Sequence, residues 1–256
     1  MPLFSISTAN QQQGSQAGAY SYPQLGQVKK DTKIFDEFDR ESLNPTNAYV
    51  FYTVAVTGTG TGAIAAGGLL SLQSSAVIGD DVSVRTSGLQ FSRISTDPSN
   101  FEARSRCKFD FYFNNVVATD TEGFIGIIRS TSALTALPTT VRHLGVYWDT
   151  SAGANYMLTS ANGTTQVTTD TGIAVGTTPT NPNRLEIVWN GLDSATINFY
   201  TGTSGSSYST LVKTQTVTAF GAGVAATFEN TIHFFVQSEA IATTRLDIQN
   251  WKCEVL

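Results

Sequence analysis

A chain that makes or breaks covalent bonds needs paired carboxylates, a nucleophile beside a base, or clustered imidazole and thiol groups. This sequence is thin in all of these. Its two histidines, His143 and His233, lie in separate β-like runs, and each is expected to pack as a core or surface residue with no chemical role. Its two cysteines, Cys107 and Cys253, show no CxxC or Cys/His metal spacing. Two free thiols buried as small apolar side chains are expected, the alternative being one disulfide tying the last strand to a central one. Asp36, Glu37, Asp39 and Glu41 crowd one short run, where a solvated edge is expected and an ion site is the other reading. Glu102, Asp110, Glu186 and Asp247 are strand acids. Facing each other in a cleft they would do acid/base hydrolysis, but nothing in their spacing requires them to meet. There is no GxSxG nucleophile elbow and no HExxH zinc motif. GlyThrGlyThrGly at 58–62 lacks the helix start and the Lys-Ser/Thr pair of a phosphate loop, and reads as a mobile loop. No catalytic residue, metal site or cofactor is expected.

Aromatic side chains are the remaining candidates for ligand work. Trp189 alternates with Leu185 and Ile187, and Trp251 shares parity with Cys253 and Val255, so both are expected in the core. Trp148 and Tyr156 flank a turn across a hairpin. They are the pair expected to be exposed, as a possible sugar-stacking platform; burial in the core is the other reading.

The elements that position these residues read as β throughout. Runs of five to ten residues are punctuated by Gly, Thr, Ser and Asn from residue 33 onward, with almost no sustained helical periodicity. Between 101 and 113, Phe101, Ala103, Ser105, Cys107, Phe109, Phe111 and Phe113 share one face. Glu102, Arg104, Arg106, Lys108, Asp110 and Tyr112 share the other, so the first set is expected inside and the second on a polar face. Turn residues at 149–154, 160–163 and 190–193 predict three hairpins in a meander. The fold class expected is an all-β, two-sheet antiparallel jelly-roll sandwich over residues 33–256, preceded by an extended polar arm over 1–32.

The arm is too poor in apolar residues to offset its own ordering entropy. Phe4, Ile6, Tyr20, Tyr22 and Leu25 are spaced along it as possible assembly anchors on a neighbouring subunit; packing back on its own domain is the alternative. Charged residues make up 14% of the chain and the net charge is −5. That balance argues against nucleic acid, whose grip needs a basic surface. No apolar run is long enough to span a membrane, and the first residues do not read as a secretory signal.

Taken in order, the runs over 34–256 resemble the concanavalin A-like lectin and glucanase superfamily. IFDEFD (34–39) resembles its acidic-aromatic first strand and GLLSLQ (68–73) its G-x-L-x-L strand. FEARSRCKFDF (101–111) is similar to the "fEaR-k-f" strand of laminarinase-type glucanases, GFIGIIRS (123–130) to the apolar strand that follows, and LDIQNWKCEVL (246–256) to the closing strand. In such glucanases the next strand carries carboxylates at alternate positions. Here that strand is VRHLGVYWD (141–149), without Glu and with its one Asp, Asp149, at the turn. The resemblance therefore implies the fold without the catalytic set.

From these features a non-enzymatic virion protein of a bacteriophage is expected, as a head decoration, tail or fibre component. Its arm would hold other virion proteins and copies of itself, and contact of the sandwich with host cell-surface glycans is the further expectation. The alternatives are a free carbohydrate-binding lectin-like module and a glycoside hydrolase with an atypical site.

Overall fold

A computed structural model describes residues 33–38, 51–65, 68–87, 90–92, 100–102, 107–116, 120–130, 132–176, 183–190, 194–202, 208–218 and 229–256. The arm, with Phe4, Ile6, Tyr20, Tyr22 and Leu25, lies outside the described residues, as do Asp39 and Glu41.

The described strands are β1 (Lys33–Asp36), β2 (Phe51–Val56), β3 (Thr61–Ala65), β4 (Leu69–Gln73), β5 (Asp81–Ser87), β6 (Gln90–Ser92), β7 (Asn100–Glu102), β8 (Cys107–Val116) and β9 (Thr121–Ile128). They continue with β10 (His143–Asp149), β11 (Gly153–Ala161), β12 (Gln166–Ala174), β13 (Asn183–Trp189), β14 (Ala195–Thr201), β15 (Thr210–Val217), β16 (Glu229–Ser238) and β17 (Arg245–Val255). They form two sheets. The back sheet runs β15-β14-β13-β8-β17-β4-β3, with β1 also on β17. The front sheet runs β12-β11-β10-β9-β16-β5-β2, with β6 on β16 and β7 beside β6. Pairing is antiparallel except between β6 and β7. This is the all-β jelly-roll sandwich that the alternation predicts. No helix among the described residues is long and apolar enough to cross a membrane.

The core lies between the sheets and follows the period-two pattern. From the back sheet it takes Cys107, Phe109, Phe111, Phe113, Leu185, Ile187, Trp189, Trp251 and Cys253. Each large apolar side chain buried this way contributes about 1.5–3 kcal/mol. Cys107 and Cys253 are buried thiols, not a disulfide, side by side in the core on adjacent β8 and β17 with a hydrogen bond between them.

Several expectations change. Asp36 is not on a solvated edge. It is fully buried, its Oδ2 accepts from the Tyr52 hydroxyl at 2.6 Å, and that hydroxyl accepts from Trp251 Nε1 at 2.8 Å. A carboxylate can be buried when such donors satisfy it. Glu37 beside it is exposed, as expected. The 58–62 stretch is a turn leading into β3, with Gly62 already in strand register against Leu72. β12 and β13 lie in different sheets, so the predicted meander splits into the β10-β11-β12 hairpins in front and β13-β14 behind. β5 has only two apolar residues, Val82 and Val84 facing inward, and its alternation is too sparse to stand out in the sequence.

Candidate functional site

Trp148 and Tyr156 are not exposed. Both are buried in the main core, their rings 5.7 Å apart and edge-on, and Tyr156 also meets Phe113 and Phe199. Parity explains the reversal. On β10, Leu144, Val146 and Trp148 point between the sheets, so His143, Gly145, Tyr147 and Asp149 point outward. A one-residue change of register exchanges the two faces of a strand, and the outward aromatic is Tyr147.

The outer face of the front sheet carries a second, smaller apolar cluster. Phe124, Ile128 and Phe235 meet Leu134, with Leu137 and Tyr147 packed alongside. Leu134 and Leu137 belong to the β9–β10 connection, which lies over this face. It is tied down by Leu134 N donating to Ser83 Oγ at 3.1 Å and Gln166 Nε2 donating to Pro138 O at 3.3 Å. Beneath it Gly126 and Gly145 sit opposite each other. A Cβ on Gly145 would lie 2.8 Å from Phe124 Cε2 and 2.4 Å from the Ile125 carbonyl, so these positions accept no side chain. In this strand, where glucanases resembling the chain carry carboxylates, the middle of the face is glycine and aromatic ring under a covering loop.

At the end of the same face three acids come together. Glu122 on β9 pairs in register with Asp149 on β10 and with Gln237 on β16, and Glu239 follows β16. One carboxylate oxygen from each of Glu122, Asp149 and Glu239 lies within 4.8 Å of the other two. Asp149 Oδ1 is held by Ser151 N at 3.0 Å, Ser151 Oγ at 2.7 Å and Ala152 N at 3.0 Å, a turn that closes the β10–β11 hairpin. Glu122 has its pKa pushed up to about 7. Burial is the main cause, followed by the charge of Glu239, a hydrogen bond shared with it, and the charge of Asp149; the Leu137 amide opposes them. Burial and then Asp149 also raise the Tyr147 phenol, against a hydrogen bond from Thr168. Asn155 donates to Asp170 at 3.1 Å on the next two strands. The arrangement can share a proton between carboxylates, accept hydrogen bonds from hydroxyls, or present oxygens to a hard cation.

Sequence reasoning did not find this cluster. Its members stand far apart in the chain and meet only through the register of three strands. The parity of Tyr147 with Asp149 was the available signal.

The other candidates fall elsewhere. His143 and His233 are buried, and burial pushes each pKa down to about 4. Asp110 and Glu186 do meet, paired in register on β8 and β13 on the outer face of the back sheet. Arg184 stands between them, its Nη2 2.6 Å from Asp110 Oδ1 and 2.5 Å from Glu186 Oε2. Glu186 Oε1 also accepts from Asn198 Nδ2 and the Tyr200 hydroxyl. Asp110 is fully buried, against the solvated position expected of it, because Arg184 and Lys252 cover it. Acids engaged this way form a structural network. Asp247 pairs with Arg245, and the Glu102 side chain lies outside the described residues.

Searches with family models and among curated proteins give no match for this chain. Solved structures do match. A lectin, UEA-II, complexed with galactose superposes with a TM-score of 0.57 at 11% identity, over 88% of this chain and 99% of that one. The carbohydrate recognition domain of Emp46p in its metal-free form gives 0.54 at 9% identity, over 86% and 94%. LamAcat from Zobellia galactanivorans gives 0.52 at 8% identity, over 86% and 96%. The structural neighbours are thus lectin-like, concanavalin-like domains, and at these identities the likeness shows the fold: this chain is a concanavalin-like sandwich.

Proposed function

We propose that this chain is a carbohydrate-binding domain without catalytic activity, taking sugar at the end of the front sheet's outer face where Tyr147 meets the acid cluster. The observation that carries the reading is the outward ring of Tyr147 beside Glu122, Asp149 and Glu239. A pyranose offers an apolar face to an aromatic ring and a rim of hydroxyl donors to carboxylate oxygens, and such convergence of ring and acceptors suits it. The lectin-like neighbours support the same reading.

Hydrolysis fits less well. It needs two carboxyl groups about 5 Å or more apart, flanking one bond. Glu122 and Glu239 instead hydrogen-bond to each other on a single sheet face. The virion role expected from composition has no counterpart among the structures reported above, and a virion location stays a proposal tied to residues 1–32.

The test is a glycan array followed by calorimetric titration of the strongest hit with wild type and Tyr147→Ala. Binding by wild type that weakens about ten-fold or more, or ~1.4 kcal/mol, in the variant supports the site. A folded wild type that binds no glycan, or a variant that binds equally well, overturns it.

A further inference from the structure

Two turns close the same end of the sandwich, β4–β5 (residues 74–80) and β16–β17 (residues 239–244). They are zipped together. Gly79 N donates to Ser238 O at 2.8 Å, Ser238 N to Asp80 O at 3.0 Å, Ser74 N to Thr244 O at 3.0 Å and Thr244 N to Ser74 Oγ at 3.1 Å. From this frame project Val77, Ile78 and Ile241, which are 56%, 63% and 83% exposed. Residues 74–79 and 240–244 contain no charged side chain, so together they form an uncharged apolar tip. The turns do not call for these residues. Asp80 N donates to Val77 O at 3.1 Å, and the turn so closed needs the positive φ of Gly79, 85°, but no isoleucine at 78. Ile241 sits at the centre of a turn closed by Ala242 N on Ala240 O at 2.8 Å, with Ser238 Oγ 2.7 Å from Ala240 O and 2.6 Å from Ala242 O. The tip is held rigidly, which lowers the entropic cost of docking it.

The two ends of the front sheet carry opposite charge. Beside the tip, Glu239 N donates to Asp120 O at 2.9 Å, and the carboxylates of Glu122, Asp149 and Glu239 meet. Arg245, at the same end, is engaged by Asp247 at 2.8 Å. Register sets Glu122 opposite Asp149 at this end and Ile128 opposite His143 at the other, a strand length of about 20 Å away. There Arg129 and Arg142 stand opposite each other, Arg129 N donating to Arg142 O at 2.8 Å, and Val141 beside them is 44% exposed. Burial and then the charge of Arg129 lower the Arg142 pKa, so an incoming carboxylate would relieve the repulsion between the two guanidinium groups.

We propose that copies of this chain associate head to tail, the tip of Val77, Ile78 and Ile241 on one copy docking at the end of the next that carries Arg129, Val141 and Arg142. A tip-to-tip contact would bring the acids of two copies together and is disfavoured. The head-to-tail contact sets carboxylates against guanidinium groups and covers exposed apolar side chains on both copies. Such a contact is heterologous and propagates into a ring or a filament. Its small area fits a weak association, of about micromolar strength or weaker. The inference goes beyond the carbohydrate reading and does not rest on it.

The experiment is sedimentation velocity of the full chain from about 1 to 100 μM, in low salt and again in about 0.5 M NaCl. Wild type should gain mass with concentration, and the added salt should weaken association about ten-fold. Ile78→Ser with Ile241→Ser removes the tip, and Arg129→Glu reverses the charge of the receiving end. All three side chains are exposed, so both variants keep the fold. Each variant alone should stay monomeric. An equal mixture of the two should form a one-to-one dimer, because each retains the surface that the other lacks. A wild type that stays monomeric throughout, association unmoved by salt, association that survives in either variant, or a mixture that remains monomeric overturns the proposal.

Discussion

Gly123 on β9 lies against the indole of Trp148 on β10: a Cβ built on the glycine would sit 1.9 Å from Trp148 Cζ2. The two residues are direct cross-strand partners. The inward course of Trp148, and with it the outward course of Tyr147, depends on that missing side chain. Gly123→Ala should therefore destabilise the fold by about 1–3 kcal/mol through overpacking, read as a lower midpoint of chemical unfolding. A variant as stable as wild type would mean the indole has room to move aside.

The parity of β10 gives a second prediction. Trp148→Ala removes a fully buried indole and should cost about 3–5 kcal/mol. Tyr147→Ala removes a partly exposed ring at the margin of the small outer cluster and should cost about 1–2 kcal/mol. Equal losses in urea titrations would place both rings in the same environment and contradict the register.

The two sheets are bridged by polar groups at a place that the sequence reads as a solvated acidic edge, with an ion site as the alternative. Tyr52 on β2 donates to Asp36 on β1 and accepts from Trp251 on β17. Tyr52→Phe leaves the buried indole N–H without its acceptor and the carboxylate short of a donor. The loss should be about 2–4 kcal/mol, checked by thermal unfolding, where each kcal/mol moves Tm by about 2–4 °C in a chain of this size. A shift under a degree would show that other groups take over both bonds.

The acid cluster sets the alkaline side of the stability profile. Glu122 has a folded pKa of about 7, above the ordinary glutamate value of 4.5. Its contribution is fully present below the unfolded value and is lost as pH rises through 7. The buried imidazoles of His143 and His233, with folded values near 4, act in the opposite sense up to about pH 6.5, so Tm should fall only from about pH 6.5 to pH 8. Glu239→Gln removes the nearest like charge and should recover stability of about 1 kcal/mol at pH 8, after discounting for partial exposure, with little gain at pH 5. A gain of the same size at both pH values would mean the charge is not the cause.

How much of this was legible in the sequence differs from element to element. β8 and β13 announce themselves, because Phe109, Phe111 and Phe113 alternate with Lys108, Asp110 and Tyr112, and Leu185, Ile187 and Trp189 are buried at every second position with half-buried residues between them. β10 is harder. The covering loop buries its outer face as well as its inner one, so His143, Leu144, Gly145 and Val146 are all buried and alternation no longer marks the interior. The exposed-pair expectation for Trp148 and Tyr156 failed there, for want of a contrast between the two faces. The acid cluster was hidden for a different reason: Glu122, Asp149 and Glu239 are brought together by strand register, which a single chain does not display. Asp36 was misread because acids in a short run resemble a solvated edge unless the partners that satisfy them, Tyr52 and Phe38 N, are known.

The account rests on sugar meeting the outward ring of Tyr147 and its neighbouring carboxylates. Its most direct test is NMR mapping of amide shifts as an oligosaccharide that binds wild type is titrated in. The account predicts the largest changes at Glu122, Tyr147, Asp149 and Glu239, with none above background on the outer face of the back sheet. Changes centred instead on Tyr112, Arg184 and Tyr200 would contradict it.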